Sequence, residues 1–237
     1  MTTSPRYEWR IPAGLIALSL VPAIFGSIRL AELARGAEIT ASNARFFESP
    51  WPVALHIVSV IPYSILGAFQ FAPGFRSRKR GWHRAAGRIL VILGCIAALS
   101  GLWMTLFYPW PAGDGELLYA FRLLFGSAML AYIILAVGAL GKRDFVRHGE
   151  WMIRGYAIGL GAGTQVLTHL PWRLFVGAPD ETIRALLMGA GWAINCAVAE
   201  VIIRRARRNR HTPSRRLSIT VSRVVAGGEA PVSRPNS

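Results

Sequence analysis

The sequence has few charged residues, few acids and almost no cysteine. Only 16% of its 237 residues are charged, against about 25% in an ordinary soluble domain, which argues against a soluble globular protein. The 12 acids against 27 Lys and Arg exclude a disordered acidic protein. Two cysteines, Cys95 and Cys196, are too few for a disulfide scaffold and lack metal-ligand spacing. Walker, Rossmann and HExxH motifs are also missing from the sequence.

Apolar residues are abundant instead, at 53% of the chain. A membrane span needs about 20 apolar residues, and lipid forces each span to be helical because its backbone groups find no water. The sequence predicts an all-α polytopic transmembrane bundle within residues 1–203. Its six predicted spans cover residues 11–28, 51–73, 89–108, 117–140, 151–175 and 185–203.

The basic residues predict the orientation of these spans. With the N-terminus inside, the inner segments hold 21 Lys and Arg and the outer segments hold 6. This distribution follows the positive-inside rule and predicts both termini on the cytoplasmic side of a bacterial inner membrane. The net charge of +15 therefore records orientation, and no nucleic-acid partner is expected.

The C-terminal segment, residues 204–237, differs in composition from the spans. It is rich in Arg, Ser, Pro and Gly, and it lacks the apolar content needed to fold. We predict a disordered basic cytoplasmic tail. It and the basic loops would contact anionic lipid headgroups, or the tail would serve as a topology anchor with a solvated end.

Small residues recur at helical spacing within the spans. Gly155, Gly159 and Gly163 form one stripe on the fifth span, and Gly87, Gly94 and Gly101 recur on the third. Such stripes let helix backbones approach closely. The sequence therefore predicts a tightly packed bundle, a property that does not identify a function.

Four histidines fall at two predicted depths. His56 and His169 lie near the outer ends of their spans, whereas His83 and His148 lie at inner entrances. Two histidines on different helices at one depth can ligate a haem iron, so haem b is a candidate cofactor. The inner pair lies at the boundary among arginines, where haem would be poorly buried. Structural or substrate-contacting histidines are the alternative.

Other polar residues inside the spans are candidates for ligand binding. His56, Ser59, Tyr63 and Gln70 form one stripe on the second span that must face the bundle interior. Arg154 and Glu200 can pair at similar depth, or can form a proton or substrate path. The candidate ligand-binding residues are Gln70, Arg84, Trp151 and Arg154.

Three sequence elements carry a family resemblance. They are His56 followed by Gly67-Ala-Phe-Gln70-Phe71, then His83-Arg84-Ala-Ala-Gly87-Arg88, then His148-Gly-Glu-Trp151-Met152-Ile-Arg154-Gly-Tyr156. Across residues 45–172 the chain resembles the bacterial predicted membrane proteins called domain of unknown function 2306. The resemblance implies a multi-helix inner-membrane protein with no assigned reaction. Many members have an Arg late in the fifth helix, where this chain has His169.

Three functions remain open at this point. The paired histidine depths suggest a haem protein moving electrons across the membrane. The polar stripe and Arg154 suggest a small-molecule transporter or a ligand-binding membrane protein. The lack of a catalytic constellation in the sequence suggests a membrane scaffold, and whether the protein is an enzyme stays open.

Overall fold

The computed structural model describes residues 9–72 and 79–211. All regular structure within these ranges is helical, as the sequence predicts. The described residues form eight helices: α1 (Arg10–Arg35), α2 (Ala44–Glu48), α3 (Pro50–Gln70), α4 (Arg80–Phe107), α5 (Glu116–Gly141), α6 (Phe145–Gly159), α7 (Gly161–Phe175) and α8 (Glu181–His211).

Five of these helices are long and apolar enough to cross a bilayer, namely α1, α3, α4, α5 and α8. They correspond to five of the six predicted spans. Many large apolar side chains on them are exposed, including Phe25 on α1 and Leu124 on α5. An apolar exterior of this extent suits contact with lipid tails. The prediction of an all-α, multi-pass membrane protein is confirmed.

The region of the predicted fifth span, residues 151–175, is a broken helix. Helices α6 and α7 have 15 residues each, and the break between them lies at Leu160. A helix of 15 residues is about 22 Å long, shorter than the hydrocarbon core of about 30 Å. Neither piece alone is a candidate span, so six spans with both termini inside remain a prediction.

Asn195 of α8 holds the break at Leu160 together. Its Nδ2 donates to the Ala157 carbonyl at 3.0 Å, and its Oδ1 accepts from the Thr164 hydroxyl at 2.7 Å. The first acceptor belongs to α6 and the second partner to α7. One side chain therefore satisfies a carbonyl just before the break and fastens both pieces.

Glycines allow the closest helix contacts, as the stripes predict, although not at every position. A Cβ on Gly163 of α7 would lie within van der Waals overlap of the Leu18 carbonyl oxygen of α1. A Cβ on Gly159 or Gly94 would overlap the Tyr63 ring. Tight packing is thus confirmed for these three glycines. The prediction of tight packing is wrong for Gly87, since a Cβ there would meet no atom within 4 Å.

Buried apolar side chains from α3, α4, α5 and the α6–α7 region form the main core. Its members are Tyr63, Leu90, Ala98, Met129, Ile133, Tyr156, Ile158 and Leu160. The Tyr156 hydroxyl donates to the Ser64 carbonyl at 2.6 Å and so joins α6 to α3. This core positions the walls of the site described below.

Contacts divide the chain into two units, Met1–Glu200 and Val201–Ser237. The described part of the second unit is the end of α8, which continues to His211 although the tail is predicted to begin at Arg204. The rest of the predicted disordered tail, residues 212–237, lies outside the described residues.

Candidate ligand-binding cavity

A cavity of about 500 Å³ lies inside the first unit. Residues from all of the first unit's helices contribute to its lining. This volume falls within the range of about 300–1,000 Å³ typical of small-molecule sites. Much of the wall is apolar, with Ile57 and Ile61 on α3, Met129 on α5 and Trp192 on α8. The charged residues of the lining, Arg45, Asp114, Arg122 and Arg184, are concentrated at one end.

That polar end is organised around Asp114, in the loop before α5. The Asp114 Oδ2 accepts from Arg122 Nη1 at 2.6 Å, and its Oδ1 accepts from Arg184 Nε at 2.8 Å. The Asp114 side chain is only 2% exposed. Both carboxylate oxygens are therefore occupied, and the aspartate fixes two guanidinium groups that come from α5 and α8.

Arg45 of α2 adds a third cation to this end. Its guanidinium lies 4.6 Å from the centre of the Phe46 ring, and its Nη1 is 3.5 Å from the Pro109 carbonyl oxygen. Burial lowers the pKa of Arg45; Asp114 opposes the shift, while Arg122 and Arg29 add to it. Arg122 and Arg29 lower this pKa because like charges repel and disfavour the charged form of Arg45. We call Arg45, Asp114, Arg122 and Arg184 the arginine end.

His56 lies along the α3 wall of the cavity, packed against α4. Its Nδ1 is 2.9 Å from the Ala97 carbonyl oxygen and 3.3 Å from the Ser100 hydroxyl. Since a carbonyl can only accept, Nδ1 carries the proton and Nε2 is left as an acceptor. The absence of a side chain at Gly101 lets the His56 ring approach α4.

The helix break also contributes to the cavity lining. Leu160 and Gly163 line the cavity beside Gln165, whose Nε2 donates to the Met188 carbonyl at 3.1 Å. Trp192 lines the same wall and stacks on Phe125, with ring centres 5.0 Å apart. Broken helices beside binding cavities are a recurrent arrangement in membrane proteins.

Arg154 and Glu200 pair, as one of the sequence interpretations predicts. Arg154 Nε lies 2.5 Å from Glu200 Oε1, and Nη2 lies 3.1 Å from Oε2, so the pair is bidentate. The Arg154 guanidinium also lies over the Trp151 ring, which stacks on Tyr132. The structure therefore unites Trp151 and Arg154 in one cluster, away from the lining of the cavity.

The other predicted site residues are dispersed. His148 Nδ1 lies 2.9 Å from the Ala136 carbonyl oxygen, and His169 Nδ1 lies 2.8 Å from that of Gln165. His83 is half-buried, and Arg84 is exposed. Gln70 is half-buried, with its Nε2 unpaired within the described part of the chain. Among these predicted residues, the cavity lining includes His56.

The stripe of polar residues on α3 does face the bundle interior. Ser59 is 2% and Tyr63 1% exposed, and His56 lines the cavity. Lipid is a poor environment for such groups, so this outcome follows directly from the hydropathy of the surrounding span.

The arginine end was not predicted as a site. The sequence treats Arg45, Arg122 and Arg184 only as outer cations, and it places Asp114 in an outer hairpin. One signal was available, because Arg122 lies inside the predicted span 117–140 and a charge at such a position needs a partner. The convergence of residues up to 139 positions apart is a property of the fold.

The five long apolar helices and their largely apolar exterior together define a polytopic helical membrane protein. The family described as "Predicted membrane protein (DUF2306)" matches residues 53–203, and the chain belongs to that family. The resemblance carried by the histidine and arginine elements is thus confirmed. No curated protein and no solved structure matches the chain.

Proposed function

We propose that this protein binds an amphipathic small molecule within the membrane. The observation that carries the proposal is the cavity of about 500 Å³, whose walls are largely apolar and whose charged groups gather at the arginine end. A site with apolar walls and a few convergent polar groups is the common form of a small-molecule site. The apolar part of the ligand would contact Ile57, Ile61 and Met129.

The α6–α7 break supports binding in this place. A continuous helix would present only side chains to the cavity, because its backbone groups bond to one another. Beside the break, Gly163 has no side chain and so brings the backbone of α7 to the cavity wall. Broken helices that line a cavity are a feature of binding sites in membrane proteins.

The proposal is tested with a photoreactive fatty alcohol that carries a diazirine on its alkyl chain. The purified full-length protein is placed in phosphatidylcholine nanodiscs, illuminated with the alcohol and digested for mass spectrometry. We expect adducts on cavity-lining stretches of α3 and α8, within residues 56–64 and 184–192. The variant A162W adds bulk at an exposed alanine in the lining and should abolish these adducts.

The matched control is A193W, which places the same ring on an exposed alanine of α8 outside the lining. It should leave the cavity adducts unchanged. Adducts confined to the outer surfaces of the helices, equal in all three proteins, would contradict a ligand cavity. That result would favour the scaffold hypothesis.

We also propose that α6 and α7 cross the membrane together as one discontinuous span. Six crossings would then place both termini in the cytoplasm of a bacterium, in its inner membrane. The 21 to 6 distribution of basic residues supports this orientation. The basic segments would face the anionic headgroups of the inner leaflet.

Haem binding is a second candidate, favoured by one observation. Nδ1 of His56, His148 and His169 each lies within 2.9 Å of a backbone carbonyl oxygen, which leaves Nε2 as the nitrogen that can ligate iron. Of these three, His56 lines the cavity, so the candidate uses one axial histidine there. Haem supplies electron transfer when it is bound.

The absorbance spectrum of protein expressed with ample haem tests this candidate. A Soret band that H56A removes and H148A retains would support it. A colourless wild-type protein would contradict it and leave the amphiphile proposal intact.

A further inference from the structure

We infer that the arginine end binds a phosphate monoester, so that the ligand is an apolar chain carrying one phosphate head. The inference rests on the proposed function and adds the chemistry of the head group. Three features of the arginine end support it: its net positive charge, its remaining hydrogen-bond donors and its position relative to the apolar walls.

The first point is charge. The lining of the arginine end holds three guanidinium groups and one carboxylate, which leaves an excess of two positive charges. Two nearby acids, Glu116 and Glu181, are exposed and lie outside the lining. A phosphate monoester carries a charge of about −1.5 to −2 at neutral pH and matches this excess better than a carboxylate does.

The second point is hydrogen-bond donors. Each guanidinium has five N–H groups, arranged to bind phosphate oxygens in pairs. Arg122 uses Nη1 for Asp114, and Arg184 uses Nε. Both therefore retain further donors, and Asp114 holds the two groups in place before a ligand arrives. Preorganisation of this kind reduces the ordering cost of binding.

The third point is position. Arg122 and Met129 both line the cavity and are seven residues apart on α5, so the arginine end lies about 10 Å from the apolar wall at a rise of 1.5 Å per residue. Arg184 and Trp192 on α8 have nearly the same spacing. A phosphate at the arginine end would thus leave its alkyl chain along the apolar walls.

The experiment compares dodecyl phosphate, dodecanol, dodecanoate and inorganic phosphate. Dissociation constants are measured by thermophoresis on the full-length protein in phosphatidylcholine nanodiscs. We expect dodecyl phosphate to bind at least about tenfold more tightly than dodecanol, since hydrogen bonds to charged groups are individually strong. Inorganic phosphate should bind weakly because it lacks the chain.

The decisive variant is R45Q, which removes a cation without breaking either ion pair to Asp114. It should weaken dodecyl phosphate binding about tenfold and weaken dodecanol binding by less than about threefold, because the alcohol carries no charge. R184Q should act in the same direction. The matched control is R35Q, at an exposed arginine near the end of α1 outside the lining, which should change neither constant.

The failures can be told apart. Equal binding of dodecyl phosphate and dodecanol would overturn the phosphate head and leave the proposed function standing. Equal binding of dodecanoate and dodecyl phosphate would likewise overturn the assignment to phosphate. Inorganic phosphate binding as tightly as dodecyl phosphate would assign the site to the free ion and overturn the amphiphile. Binding by none of the four, with no cavity adducts, would overturn both proposals.

Discussion

At the residue scale, Asp114 is the group on which the arginine end depends. Both of its oxygens accept from arginines, and its side chain is almost fully buried. We expect D114N to lower the free energy of unfolding by about 1–3 kcal/mol, because it removes a buried carboxylate that pairs with two half-buried arginines. Unfolding by SDS titration in mixed micelles measures the change.

The control for this prediction is D144N. Asp144 pairs with Arg147, whose side chain is 74% exposed, and its carboxylate also caps α6 by accepting from the Arg147 backbone N–H. A solvated pair contributes about 0–1 kcal/mol, and the neutral amide retains the cap acceptor. Equal losses in D114N and D144N would contradict the structural role of Asp114.

The Arg154–Glu200 pair supplies a second prediction at this scale. Neither residue lines the cavity, and each satisfies the other. A double-mutant cycle of R154Q, E200Q and both together should give a coupling energy of about 1–3 kcal/mol. Dodecyl phosphate binding should stay within twofold of the wild type in all three variants.

The opposite result would support the sequence-based assignment of Arg154 to ligand binding. In that case R154Q would weaken binding while the coupling energy with Glu200 stayed near zero. Unfolding titrations and thermophoresis on the same preparations separate the two roles.

Sequence patterns predicted that His56 faces the bundle interior, because a polar stripe on an apolar membrane span avoids lipid. They did not predict the arginine end, since Arg45, Asp114 and Arg184 lie outside the predicted spans and each looks like an ordinary loop or boundary charge. Periodicity describes one helix at a time. The site is built between helices, so its composition depends on packing that no single segment encodes.

At the scale of helices, the contact between α1 and α7 is a close approach of two backbones. Pro22 has no N–H to donate to the Leu18 carbonyl, and Gly163 packs against that carbonyl. We expect G163A to lower the free energy of unfolding by about 1–3 kcal/mol, since its methyl group would overlap a backbone oxygen. The SDS titration measures this loss.

The matched control is G87A on α4, where an added Cβ would meet no atom within 4 Å. Alanine there should be neutral or should stabilise by about 0.5–1 kcal/mol, because glycine weakens a helix interior. If G163A were as harmless as G87A, α1 and α7 would not approach as closely as described.

The break at Leu160 shows the limit of prediction for helices. Residues 151–159 and 161–170 contain no proline, and the glycine stripe through them is equally typical of an unbroken packed helix. What stabilises the break is Asn195, some 35 positions further along the chain. The five unbroken spans were predictable because their apolar runs are long and uninterrupted.

At the scale of the whole molecule, orientation is the open prediction. With Cys95 and Cys196 replaced by alanine, single cysteines are introduced as A112C, K142C and A178C, all at exposed positions. A membrane-impermeant maleimide added to intact cells should label A112C and A178C. It should label K142C only after permeabilisation, because the basic loop before α6 is expected inside.

Comparing the labelling of K142C with that of A178C distinguishes six spans from five. Labelling of both from the same side would mean that α6 and α7 turn back within the bilayer, and the discontinuous span would be wrong. Labelling of K142C alone in intact cells would invert the proposed orientation.

The packing of Gly163 against the Leu18 carbonyl also limits how early the fold can be completed during synthesis. The two residues are about 145 positions apart, so at about 5–20 residues per second α7 is synthesised roughly 7–29 s after the middle of α1. During that interval the ribosome is still extending the chain, and the Leu18 carbonyl of α1, which receives no bond from Pro22, has not yet met Gly163. A nascent chain stalled before α7 would already hold Arg45 and Arg122 but lack the part of the cavity lining that α7 and α8 supply. Assembly of the cavity is therefore a late event of translation, whatever the order in which the individual helices enter the bilayer.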